Sequence, residues 1–98
     1  MSKRSIERKL AKTAKRLAVL RGELVAIDEQ LHHLRDDADD TAVRSLVADN
    51  TGAAREARQA REHLAAHERQ RERVAIELAE LELRQDQLLD ELIAVQSS

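Results

Sequence analysis

The sequence predicts an all-α protein, an antiparallel helical hairpin of coiled-coil type with a short helix at its tip, dimerising into a four-helix bundle. Three observations carry that expectation. Apolar residues recur at alternating steps of four and three along two long stretches, a single short segment between them carries turn chemistry, and charge is segregated into four blocks. The 98 residues include no Phe, Trp, Tyr, Pro or Cys, while 42% are apolar and 37% charged. That composition belongs to long helices rather than to a mixed globular fold, and the length allows one domain spanning 1–98.

The first helix is expected over 3–35. Its seam runs through Ile6, Leu10, Thr13, Leu17, Leu20, Leu24, Ile27, Leu31 and Leu34, with Thr13 the one polar member. Such a heptad spacing keeps one stripe facing a partner helix. Asp36-Asp-Ala-Asp-Asp40 then favours a turn, because short carboxylates compete for nearby backbone N–H groups. Asp39, Asp40 or Thr41 would cap a short helix over 40–48 that carries Val43, Leu46 and Val47 on one face. Asp49-Asn-Thr-Gly52 ends it, with Asn50 or Gly52 suited to a left-handed backbone and Thr51 to a cap. The last helix is expected over 52–96. Its seam comprises Ala57, Ala60, Leu64, His67, Arg71, Val74, Leu78, Leu81, Gln85, Leu88, Leu92 and Val95.

Charge decides how the helices run. Residues 1–21 carry a net +7, 22–50 a net −6, 51–73 a net +2 and 74–98 a net −5. An antiparallel hairpin sets the first block beside the fourth and the second beside the third, opposite signs each time. A parallel pair would set like beside like. Two helices enclose no core, so self-association is expected, through Ile76, Leu83, Leu88, Leu89, Leu92 and Ile93. Gly22 sits opposite the seam, where a glycine is justified if another backbone comes close.

Candidate chemistry is sparse. His63 and His67 stand one helical turn apart and are weak candidates for holding a metal, with His32 or His33 as a third ligand. No cofactor is expected. Asp36, Asp37, Asp39 and Asp40, with Val43, Leu46 and Val47, form the candidate partner-binding tip. An acidic turn on a helical hairpin resembles the coiled-coil arm of bacterial transcript-cleavage factors, which present acids to a metal in the RNA polymerase channel. The resemblance covers the hairpin outline and Asp36–Asp40, and that family's second, polymerase-docking domain has no counterpart here. Prefoldin-type chaperones share the hairpin but carry strands that this sequence lacks. The Ala- and Arg-rich style resembles small coiled-coil proteins of high-GC bacteria.

Lys3, Arg4, Arg8, Lys9, Lys12, Lys15 and Arg16 are candidate phosphate contacts. The missing aromatics remove any base-stacking platform, and the acidic fourth block is expected to neutralise much of this charge within the hairpin. No apolar run approaches the roughly 18 residues of a membrane span. The basic start lacks the apolar core of a secretory signal. With no nucleophilic cysteine and no glycine-rich phosphate loop, an enzyme is not expected. The expected function is that of a cytoplasmic, self-associating coiled-coil adaptor or regulatory subunit with a protein partner. The alternative is an RNA-, ribosome- or RNA-polymerase-associated factor that uses the basic first helix or the acidic tip.

Overall fold

The computed structural model describes residues 2–97 as two helices, α1 (Lys3–Ala48) and α2 (Thr51–Ser97), of 46 and 47 residues. Ser2 starts α1 as its cap. Its Oγ accepts from the Ser5 N–H at 3.2 Å and its carbonyl from the Ile6 N–H at 3.1 Å, which satisfies donors that a helix start leaves unpaired.

The expected break at 36–40 is absent. Helix α1 runs unbroken through all four aspartates, and no separate helix spans 40–48. The reason lies in the seam, which continues beyond Leu34 through Ala38 and Thr41, both buried, to the half-buried Ser45. Aspartate costs a helix interior only a fraction of a kcal/mol per residue, about 0.7 at most. Continued packing outweighs that cost, and the carboxylates stay in water. Thr41, a candidate cap, instead lies in the seam and donates its hydroxyl to the carbonyls of Asp37 at 2.7 Å and Ala38 at 3.2 Å. Thr13 does the same towards Lys9 at 2.8 Å. Back-bonding of this kind lets a hydroxyl occupy an apolar seam without an unmet hydrogen bond.

Reversal falls on two residues. Asp49 takes a left-handed backbone with φ of 47° and donates its N–H to the Ser45 carbonyl at 3.1 Å. Asn50, not Thr51, caps α2, its Oδ1 accepting from the Ala53 N–H at 2.8 Å. Gly52 lies inside α2, where its conformational freedom is unused.

Contacts group the described residues into two compact units: a terminal unit within Met1–Glu23 and Val74–Ser98, and a turn unit, Leu24–Arg73. Every seam position named above is buried or half-buried. In the terminal unit Ile6, Leu17, Leu20 and Leu88 are fully buried; in the turn unit Leu31 is. The seams mirror one another about residue 49. Ile6, Leu10, Thr13, Leu17 and Leu20 lie as far before it as Leu92, Leu88, Gln85, Leu81 and Leu78 lie after it. The turn unit repeats the relation for Leu31 with His67, Leu34 with Leu64, Ala38 with Ala60 and Thr41 with Ala57.

The antiparallel expectation is met by ion pairs in both units. Arg16 and Arg21 of the first charge block reach Glu77 and Glu82 of the fourth, and Asp28 of the second reaches Arg71 of the third. Truncating the fully buried Leu17 or Leu20 to Ala is expected to cost about 2–5 kcal/mol. Leu46→Ala, at 84% exposure, is expected to stay within about 0.5 kcal/mol. Urea denaturation followed by circular dichroism checks both.

Candidate functional site

The expected tip surface divides in two. Asp36, Asp37, Asp39 and Asp40 are exposed positions within α1, more than two turns before the reversal, rather than at the tip. Asp40 pairs with Arg44 at 3.0 Å and Asp36 faces His32 at 3.6 Å, each one helical turn away. Val43, Leu46 and Val47 do reach the end of α1, and they are 59%, 84% and 82% exposed. They lie on the side of α1 directed away from the seam, because Thr41 and Ser45 occupy the seam there.

Of the shallow hollows beside the helices of the turn unit, two concern the last turns of α1. One, of about 330 Å³, is floored by Ala42, Ala54 and Ala57, walled by Leu46 and rimmed by Arg58 and Arg61. The other, of about 360 Å³, is polar and includes Asp37, Thr41, Arg44, Glu56 and His63. Arg58 and Arg61 were no part of the expected site. The signal for them was their spacing of three beside α2's seam, which puts both on one side of it, at the levels of Asp40 and Asp37 in the mirrored register.

The histidines do not assemble a metal centre. The His63 and His67 rings meet edge to face with centroids 4.7 Å apart, and His67 Nδ1 lies 3.1 Å from the His63 carbonyl. Among the described residues no three His, Cys, Asp or Glu side chains converge on one point. His32 and His33 instead border a hollow of about 460 Å³ on α1, with Val25, Asp28 and Glu29. The half-buried His67 therefore behaves as a polar seam residue tied to its own helix.

The expected neutralisation of the basic start is small. Of its cations, Arg16 forms two hydrogen bonds to Glu77 at 3.0 and 3.2 Å, and Arg21 approaches Glu82 at 3.7 Å. Arg16 is thereby engaged within the chain rather than presented to phosphate. Lys3, Arg4, Arg8, Lys12 and Lys15 are exposed and make no ion pair among the described residues. Lys9 is exposed too, and it has a further interaction. Among the expected oligomerisation residues, Leu88 is fully buried and Leu92 half-buried in the hairpin's own seam, so Leu88 is not offered to a second chain. Ile76, Leu83, Leu89 and Ile93 remain exposed at 49%, 60%, 43% and 60%. Beyond its own helical turn, Gly22 has no atom of the described residues within 4 Å of where a side chain would begin, so no close approach within them explains it.

Arg71 marks where a charged residue enters the seam. Its guanidinium turns outward to take both carboxylate oxygens of Asp28. The hydrogen bond from Arg71, and secondarily its charge, holds the Asp28 carboxyl below its ordinary value, while Arg71 and Arg16 are each raised by their carboxylate partners. A lowered carboxyl contributes stability above the ordinary aspartate range and loses it as pH falls through the lowered value. Carbon-13 NMR titration is expected to find Asp28 ionising at lower pH than its own value in Arg71→Ala. Equal values in the two proteins would show that the pair does not persist in water.

Among the described residues no helix is long and apolar enough to cross a membrane. No protein-family model, curated protein or solved structure matches this chain.

Proposed function

We propose that this protein is a non-catalytic, cytoplasmic, self-associating coiled-coil adaptor or regulatory subunit, and that it engages a protein partner through the end of α1. The observation that carries the reading is the outward display of Val43, Leu46 and Val47 beside the reversal. Branched apolar side chains at such exposure contribute little to the hairpin, and a contiguous patch of them marks an interaction surface. The hollows beside the helices are open, shallow and lined by groups without a nucleophile–base arrangement, which suits binding better than catalysis. The acids of 36–40 flank the apolar cluster on α1 and favour a partner with basic residues around an apolar groove.

The double variant Leu46→Ser with Val47→Ser is expected to keep its helical circular dichroism and to lose a partner that the parent chain retains from nuclease-treated native lysate. Capture by both proteins alike would remove the end of α1 as the docking surface.

A second reading rests on the five cations at the start of α1, Lys3, Arg4, Arg8, Lys12 and Lys15, that make no ion pair among the described residues. Arg4, Arg8, Lys12 and Lys15 follow one another at steps of four, four and three, which aligns them along the outside of the helix. A phosphate backbone would fit that row, in an RNA-, ribosome- or polymerase-associated role. Binding of this kind weakens by orders of magnitude between about 50 and 200 mM salt, whereas apolar docking changes little. Fluorescence anisotropy with a labelled RNA duplex across that range is expected to separate the two readings.

A further inference from the structure

The terminal unit presents two unlike sides. The side spanned by Arg16 and Glu77 is crowded with charge, including Lys12, Glu80 and Arg84, with Val19 the one large apolar side chain exposed there on α1. On the side spanned by Arg21 and Glu82, α1 offers Ala11, Ala14 and Ala18, all exposed. There α2 offers Ala79 and the two large exposed side chains Leu89 and Ile93. These placements follow from the seam, since the residues flanking it in an antiparallel pair fall on the same side of both helices.

We propose that this alanine, leucine and isoleucine side seats a second copy of the chain. The copies are related by a two-fold axis running along the helices of the terminal unit, so that α1 of each lies antiparallel along α2 of the other there. The inference rests on the self-association in the proposed function and gives it a surface and an orientation.

Charge chooses the pairing. Arg4, Arg8 and Lys15 of α1 and Asp86 and Asp90 of α2 make no ion pair within the described chain. Laying α1 on the other copy's α2 sets these opposite signs together at matching levels, Arg8 beside Asp90 and Lys15 near Asp86. Laying α1 on α1 would crowd cations against cations. Shape agrees, because Leu89 has bulk to fill the room left by Ala11 about half a turn away, and Ala18 meets Ala79 at close approach. A two-fold axis makes each patch answer the other, so the contact closes at two copies.

The chain also has area to spare for such a contact. The chain exposes 7056 Å², whereas a compact monomer of its mass exposes about 5,700 Å². A standard interface removes about 800 Å² per partner, and the excess of roughly 1,400 Å² is more than enough to supply it.

Two measurements test the proposal. The chain has no cysteine, so Ala18→Cys and Ala79→Cys can be made singly at exposed positions, refolded together and oxidised. A disulfide joining one of each is expected, with a light-scattering mass twice that of the chain. Leu89→Glu with Ile93→Glu is expected to weaken the dimer by about tenfold or more, the scale of lost interface anchors, with helical circular dichroism unchanged. A dimer that never forms the mixed disulfide would overturn this geometry and leave self-association standing. A single-chain mass at every concentration would overturn both, while docking through Leu46 and Val47 would remain separately measurable.

Discussion

Burial of one narrow seam, mirrored about Asp49, is the constraint on which everything else depends. An antiparallel pair of helices can bury a stripe along its full length only if the steps of four and three on one strand run backwards on the other. Here they do, from Ile6 and Leu92 in the terminal unit to Thr41 and Ala57 in the turn unit. The mirror line falls on the residue with the left-handed backbone. A tight two-residue reversal is therefore required by the register, and Asn50 supplies the cap that such a short connection needs.

The seam tolerates polar residues because each has somewhere to send its hydrogen bonds. Thr13 and Thr41 turn back on their own helix, His67 approaches the His63 carbonyl, and Arg71 runs outward to Asp28. Exposed ion pairs contribute little stability, on the order of 0–1 kcal/mol each. What Arg16–Glu77, Arg21–Glu82 and Asp28–Arg71 can do is disfavour other registers and the parallel arrangement. Stability rests on the seam, and orientation on the charges.

The helices, their seams and their orientation were legible because each rests on a repeating pattern that a single exception cannot erase. The break at Asp36–Asp40 was misread for the opposite reason. Four aspartates are a strong local signal, and the continuation of the seam through Ala38, Thr41 and Ser45 is a quiet one, made of small or polar residues. Packing over a whole helix outweighed local preference. The same misreading moved the acids to the tip and set Val43, Leu46 and Val47 on a separate short helix, whereas they belong to the last turns of α1. Leu88 and Leu92 show a further limit, since an apolar residue in the sequence does not declare whether its own chain or another covers it. Arg16 and Arg21 show another: block charges predicted the pairing, but only the geometry shows which cations remain unpaired.

The mirrored register also makes helix length adjustable in fixed increments. Losing one residue from either helix would carry half the seam round to the wrong side. Losing seven from α1 together with the seven equally distant beyond Asp49 would restore every remaining opposition and shorten each helix by about 10 Å. Such a molecule behaves as a ruler graduated in heptads.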